Sequence, residues 1–307
     1  MPDVTLPSGS PPGVLCLGRT YCDLVFTGLP GLPVLGREVF AENVAIVPGG
    51  GAFITAAHLV SLGSRAHLVS RLGVDALSNG LEFALIESGV DLTFIERAAD
   101  AGPQLTVAIV QPQDRAFLSR RAGHGRPATL QAALSSPGVR HLHIAEYATL
   151  VENPGLVFEA KGRGLSVSLD PSWDDELIHD PALLESCRGV DLFLPNVEEA
   201  SAITRTADED QVLALLSRHF PLVVLKKGAE GATLARGEER LRLAAPLVKV
   251  VDTTGAGDAF NAGFLQHWLR GESPHSCLAA AIEAGSLSVQ AAGGATALKQ
   301  AGGSKNP

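Results

Sequence analysis

The chain is short of aromatic residues, at 5%, and of positive charge, with 24 Lys and Arg against 33 Asp and Glu. With few aromatics, a core must be packed from Val, Leu, Ile and Ala, which suits helices lying on a sheet. The formal charge of −9, with no basic block along the chain, disfavours a nucleic acid or an anionic membrane surface as partner. No apolar run approaches the ~20 residues that a membrane span needs. Cys16, Cys22, Cys187 and Cys277 are the only cysteines and have neither zinc-ligand nor dithiol spacing. Reduced structural thiols in the cytoplasm are therefore expected. The opening MPDVTLPSGSPPG lacks the basic start and apolar stretch of a secretory signal and reads as a flexible tail. Two nucleotide fingerprints are also missing: G-x-G-x-x-G after an early strand and the G-x-x-x-x-G-K-[ST] loop. Their absence argues against a nucleotide-dependent dehydrogenase and a P-loop enzyme.

What is present fits one large α/β domain of 307 residues with a small appendage. Residues 14–17 form a short apolar run ended by Gly18, which predicts the first core strand. Residues 23–47 differ, being short apolar pieces broken by Gly28, Pro30, Gly31, Pro33 and Gly36. They predict the strands and turns of a small separate sheet. TVAIV and AFLSR, within residues 104–120 and joined by QPQD, are expected to pair with it as a lid. Helices are expected over residues 51–62, 79–87 and 274–292, the last Ala-rich with one charge, Glu283. HLHIA (141–145), LSVSL (165–169), DLFLP (191–195) and LVVL (222–225) alternate with helical stretches. That alternation implies a mostly parallel sheet covered on both faces, with ligands gathering at the carboxyl ends of its strands.

The stretch VVDTTGAGDAFNAGF, residues 250–264, sets three small residues, Gly255, Ala256 and Gly257, before a carboxylate, Asp258. A helix is expected from about residue 257 to the breaker Gly271. Amides in its first turn are unpaired within the helix and sit at the positive end of its dipole. They attract an anion, and small side chains let a phosphate reach the backbone. A carboxylate there would repel a phosphate already made. It suits a base that takes a proton from an attacking hydroxyl while the amides hold the charge that develops. A glycine turn with an Asp cap is the plainer account of GAGD alone, but the string is longer than a cap requires.

DTTGAGDAFNAGF resembles the C-terminal signature of the ribokinase-like, or PfkB, family of carbohydrate and nucleoside kinases. PGGGAFITAAHLVSLGSRAHLVSRLGVDALSNG (48–80) is similar to the family's N-terminal signature. PNVEEA (195–200) fits its Asn-x-x-Glu motif, and VVLKKGAEGA (223–232) its strand, Lys and Gly-x-x-Gly turn. The resemblance covers about residues 14–297, in family order. It implies an α/β three-layer sandwich, with a mostly parallel central sheet flanked by helices and a small β-sheet lid from about 23–47 and 104–120. A single domain over 14–297, with flexible tails at 1–13 and 298–307, follows from it.

The resemblance also implies Mg-ATP as phosphate donor and a role for each matching residue. Asp258 would be the catalytic base, and Gly255, Ala256 and Gly257 the anion hole. Asn196 and Glu199 would organise Mg²⁺ and its waters, and Lys226, Gly228 and Gly231 would lie along the nucleotide. Asp252 and Thr254 match positions that hold a monovalent cation, usually K⁺, in many members. Asp23 matches the carboxylate that binds substrate hydroxyls, with Gly49, Gly50 and Gly51 letting the backbone approach the same ligand. Glu146 lies where another substrate contact is often found, and a solvated loop carboxylate is an equal alternative. The partner expected is a small sugar, with a nucleoside as alternative and a non-catalytic regulator as a further one. Homodimerisation through the lid is carried as a possibility.

One position departs from the family. Where a substrate-binding Asn is common, this chain has Ile54, beside Phe53, so the acceptor is expected to present fewer hydroxyls there or an apolar face such as a nucleobase. His141 and His143 alternate along one strand and are expected to face opposite sides, which argues against a shared metal. Arg120 and Arg121 end a lid strand and are expected either to reach the ligand or to form a solvated edge. Trp268 is expected in the core.

Overall fold

The computed structural model describes residues 12–110 and 115–290. The tails expected before residue 12 and after 297, the end of the expected domain and the QPQD turn lie outside those residues. Gly13, expected in the tail, already belongs to the first strand.

In chain order the strands are β1 (Gly13–Leu17), β2 (Tyr21–Thr27), β3 (Asn43–Gly49), β4 (Arg65–Leu72), β5 (Ile95–Arg97), β6 (Leu105–Val110) and β7 (Arg115–Arg120). They continue as β8 (Val139–Ile144), β9 (Ser166–Leu169), β10 (Leu192–Phe193), β11 (Leu222–Lys226), β12 (Ala232–Arg236) and β13 (Glu239–Leu243). Nine of them form one sheet in the order β13-β12-β11-β10-β9-β8-β1-β4-β5. It is parallel from β11 through to β5, and the hairpin β11-β12-β13 adds two antiparallel strands at one edge.

The three layers follow from the pleat. Along β1, Leu15 and Leu17 enter one buried apolar cluster, and Val14 and Cys16 enter the other. Successive side chains of a strand point to opposite faces, so an all-apolar pentapeptide buried on both sides needs cover above and below. Helices Gly51–Ser61, Ala256–Leu269 and Pro274–Ser288 cover the Val14 face. Local signals start several helices: the Asp75 carboxylate accepts from the Leu77 and Ser78 amides, and Ser273 caps a helix with Pro274 in its first turn. The expected helix over 79–87 is two short ones, Ala76–Gly80 and Glu82–Glu87, because the Asp75 cap starts the first turn earlier.

The other four strands form a separate sheet, β3-β2-β6-β7. Register puts Asp23, Val47, Thr106 and Ser119 in one row across one face, and Val25, Ala45, Ala108 and Phe117 in the next row of that face. The opposite face carries Leu24, Ile46, Val107 and Leu118, then Phe26, Val44, Ile109 and Ala116. Two buried arginines tie this sheet to the large one. Arg19 donates to the carbonyls of Ala122 and Gly123 at 3.1 and 3.0 Å and pairs with Glu152 at 2.5 Å. Arg71 donates to the His124 carbonyl at 3.1 Å and pairs with Asp100 at 2.6 Å.

His141 and His143 correct the expectation of opposite faces. Residues two apart on a strand share a face, and both rings bond the Ser168 hydroxyl, at 2.8 and 2.9 Å. His141 also meets Trp268 edge-on at 5.5 Å, so both imidazoles lie on the Ala256–Leu269 side.

That helix packs closely against Pro274–Ser288 at Gly263, where an added Cβ would stand 2.7 Å from the Ala280 carbonyl oxygen and 2.9 Å from the Ala284 Cβ. Backbone cannot yield as a flexible side chain can, so Gly263→Ala is expected to lower stability by about 1–3 kcal/mol. Urea unfolding measures this, and an unchanged midpoint would refute the close contact.

Candidate active site at the carboxyl ends of the strands

Four parallel strands deliver polar residues to one region. β8 leads into Ala145 and Glu146, β9 into Asp170, β10 into Asn196, and β11 ends on Lys226. The first turn of Ala256–Leu269 reaches the same place: a Cβ built on Gly257 would lie 3.5 Å from Lys226 Nζ. Gly51, at the start of another helix, closes the far side. Its added Cβ would stand 2.9 Å from Asp258 Oδ1 and 3.2 Å from the Ala145 Cβ. Asp258 is thus held between two helix N-termini with no room for a larger residue at 51.

Gly255 caps the Ala256–Leu269 helix at φ 73°, a conformation glycine adopts readily. The turn it makes brings the Thr253 carbonyl onto the Ala256 amide at 3.3 Å, which corrects the expectation that all three small residues offer free amides. Among the described residues, the amides of Gly255, Gly257 and Asp258 have no acceptor. The cradle therefore consists of those three N–H groups, with Ala256 partly engaged.

The electrostatics are dominated by buried carboxylates. Burial, then the Asp170 charge, raises Asp258 to about 7 against the opposing pull of Lys226, with Glu199 and Asp23 adding to the rise. Glu199 is likewise raised to about 7 by burial and Asp170. On the smaller sheet, burial lifts Asp23 to about 7 against a hydrogen bond from Thr106. A Cβ on Gly49 would overlap the Asp23 carboxylate, and one on Gly50, at φ 94°, would overlap the Arg19 carbonyl. These two glycines are therefore required by the close crossing of β2 and β3 itself.

Asn196 and Glu199 form a capping box at the start of Val197–Thr204: each side chain accepts from the other's backbone amide at 2.8 Å. Gly228 lines two adjoining clefts that share Lys226, of about 430 and 360 Å³. The first is bordered by Asn196, Ser201 and Glu209. The second is an apolar slot between Leu247, Val248, Phe260 and Val289. Gly231 also borders the slot, and its φ of 91° and the Leu243 carbonyl against its missing Cβ show that the backbone needs glycine there. Asp252 Oδ1 accepts from the Thr254 amide and hydroxyl at 2.8 and 2.7 Å, in the turn before the cradle.

Glu146 stands at the N-cap of the helix Tyr147–Glu152. Its Oε1 accepts from Thr149 Oγ1 at 2.8 Å and from the Arg19 amide at 3.3 Å, and its charge is felt by Tyr21 and Arg121. Arg121 pairs with Asp174 at 2.8 Å, joining the smaller sheet to the loop after β9. Arg120 points to the Pro103 carbonyl, at 2.6 Å, from the face opposite Asp23. Ile54 and Phe53 are both buried in the apolar cluster behind Gly51.

Sequence reasoning missed Asp170, Asn261 and Arg19. Asp170 carried the signal already used for Glu146, a charge directly after an apolar strand. Asn261 carried another, a polar residue on the buried face of a helix, three positions after Asp258.

The residues suit a divalent cation only in part-share. Glu199, Asp170 and Asp258 are hard oxygen donors crowded around one ammonium, yet among the described residues no three His, Cys, Asp or Glu side chains are placed to hold a metal by themselves. That matches an ion that keeps waters and phosphate oxygens as ligands, as Mg²⁺ does.

The family profile described as pfkB family carbohydrate kinase matches residues 14–301. The bifunctional protein HldE of Edwardsiella ictaluri is 30% identical over 276 residues, 83% of this chain and 55% of that protein, so the chain spans about half its length. Ribokinase of Arabidopsis thaliana is 28% identical over 301 residues, 92% of this chain and 77% of the relative. Its structure complexed with ribose and ATP has a TM-score of 0.80 at 24% identity, covering 94% of this chain and 96% of that one. Adenosine kinase from Sinorhizobium meliloti has a TM-score of 0.78 at 24% identity, covering 95% and 100%. Structural likeness at that identity establishes the fold alone.

Carboxylates raised to about 7 bind protons more tightly folded than unfolded, so their contribution to stability is full below about pH 4 and lost as pH rises to about 7. Asp258→Asn removes one such group. It is expected to raise the melting temperature at pH 8 and to give no advantage at pH 4. Calorimetry at both values checks this, and a lower melting temperature at pH 8 would refute the assignment.

Proposed function

The chain belongs to the pfkB family of carbohydrate kinases, and from that premise we propose that it transfers the γ-phosphoryl group of ATP to a hydroxyl of a small sugar. The observation that carries the reading is Asp258 itself, buried beside Gly51, next to the unpaired Gly255 and Gly257 amides and raised to about 7. A base with that affinity for protons is poised to accept one from an alcohol near neutral pH. The Gly255, Ala256 and Gly257 segment, with the Asp258 amide, supplies fixed N–H dipoles for the charge that develops on the transferred group. Asp23, with Thr106 and Ser119 in its row, binds acceptor hydroxyls, and Glu146 orders the far edge of that pocket through Arg121 and Tyr21.

On the donor side, the apolar slot bordered by Gly228 and Gly231 takes the nucleobase, and Lys226 stands where the slot meets the cradle. Asn196 and Glu199 hold magnesium through its waters; bound there, the ion neutralises phosphate charge. Asp252 and Thr254 hold a monovalent cation behind the cradle, so turnover in K⁺ should exceed turnover in Li⁺. Four free, buried cysteines suit the reducing cytoplasm. The smaller sheet acts as the lid within one domain over residues 14–297.

A nucleoside acceptor is the second reading. It is favoured by the apolar row Val25, Ala45, Ala108 and Phe117 beside Asp23, while Ile54, at the position of the family's substrate Asn, is taken up by the core.

With the preferred acceptor from a panel of pentoses, hexoses, keto-deoxy sugars and nucleosides, Asp258→Asn should reduce kcat at least about a hundredfold, while ATP still binds in calorimetry. An unchanged kcat would remove Asp258 from the reaction. No turnover of any acceptor by a protein that binds ATP would favour a regulator.

The outer lid face, with Val44, Ile46 and Leu118 at 56, 57 and 72% exposure, is the surface we assign to a second copy, since eight apolar residues stand in register across all four strands of it. Light scattering should then give a dimer, and Leu118→Asp a monomer with its melting temperature kept. A monomeric parent would end this assignment.

A further inference from the structure

Beyond standing among the oxygen donors near Lys226, Asp170 has no part in the proposed function, yet it is the carboxylate that Lys226 meets. Lys226 Nζ donates to Asp170 Oδ2 at 2.5 Å, and Asn261 Nδ2 donates to the same oxygen at 2.6 Å. The Ser172 amide donates to Oδ1 at 3.2 Å, with Ser172 in the left-handed region at φ 54°, a conformation that persists where its surroundings enforce it. The end of β9, the last residue of β11 and the Ala256–Leu269 helix are thus joined at one carboxylate. Asp170 and Lys226 side chains are only 8 and 11% exposed.

The ammonium has other carboxylates within electrostatic reach, Glu199 on Val197–Thr204 and Asp258 on the cradle helix. Coulomb attraction alone would let it pair with any of them. A Lys226–Asp258 pair would disable both groups, because the base would be held ionised by a fixed cation and the cation would be drawn off the phosphate path. Asn261 bears on this choice. Lying three residues after Asp258 on the same helix, it places its amide N–H groups on the oxygen that Lys226 uses, so Asp170 is fixed from the cradle side as well.

We propose that Asp170, fixed by Asn261 and the Ser172 turn, is a positioning residue that keeps Lys226 away from Asp258 and aimed at the Gly257 end of the cradle. The claim rests on the kinase reading. It assigns Asp170 no contact with substrate; its effect passes through Lys226.

The test is a double-mutant cycle on kcat with Asp170→Asn, Lys226→Met and the pair, using the preferred acceptor and saturating Mg-ATP. Asp170→Asn keeps the shape and removes the charge. It should lower kcat about a hundredfold and leave the acceptor KM unchanged, and it should cost nothing further in the Lys226→Met background, because residues acting through one another are non-additive. Equal losses in both backgrounds would overturn the proposal. A second readout needs no turnover: the Lys226 ammonium resonance in protein labelled with ¹⁵N-lysine, assigned by its loss in Lys226→Met. Asp170→Asn should shift it, and an unmoved resonance would overturn the proposal even if kcat fell. A parent protein that transfers phosphate to no acceptor overturns the kinase reading and with it the catalytic half of the claim, whatever the resonance shows.

Discussion

One buried ammonium among three carboxylates constrains the rest of this molecule. Glu199 and Asp258 are both raised to about 7, and Asp170 sits within hydrogen-bond reach of Lys226. Taking several like charges out of water is costly, and one cation cannot neutralise them all. Such a site persists only when the surroundings over-determine it. Here the apolar load of β1, β8, β9, β10 and β11, buried on both faces of the large sheet, fixes the strand ends from which the charged groups project. A ligand bringing its own divalent cation would relieve the repulsion among these groups.

The close approaches follow from the same crowding. Gly49, Gly51 and Gly257 face Asp23, Asp258 and Lys226 respectively, and at the first two an added Cβ would meet a carboxylate oxygen at less than ordinary van der Waals separation. These glycines make room for the protein's own charged side chains, as well as for a ligand. A reading that assigns every glycine in a nucleotide-like motif to phosphate contact overlooks this part of the geometry.

Much of this was legible in the sequence. The four apolar strands, the separate small sheet and the helix behind GAGD are local signals, since each depends on the period or punctuation of a few neighbouring residues. What depends on residues far apart in the chain was not legible. Asp170 meets Lys226 across 56 positions and Asn261 across 91, and nothing in LSVSLDP announces which partner it has. The Ala256 amide was misjudged because the Thr253 carbonyl reaches it only through the left-handed Gly255 turn. His141 and His143 were misplaced by a lapse in the pleat rule; spacing alone sufficed to put them on one face.

The smaller sheet and the cradle helix meet through Asp23 and Asp258, the groups to which the proposed function gives recognition and proton transfer. Asp23 rides on β2 and Asp258 on the helix Ala256–Leu269, yet the Asp23 charge adds to the proton affinity of Asp258, and Gly49 to Gly51 run directly from one to the other. The smaller sheet is anchored by Arg19 and Arg71 to the segment 122–124. Both guanidiniums are buried and doubly engaged, so the sheet's root is stiff. A ligand hydroxyl on Asp23 that disperses its charge would lower the repulsion at Asp258 and so change the proton affinity of the base at the moment the acceptor is seated. On the kinase reading, an acceptor seated on Asp23 would act on Asp258 through the field between two carboxylates, a smaller influence than burial and Asp170.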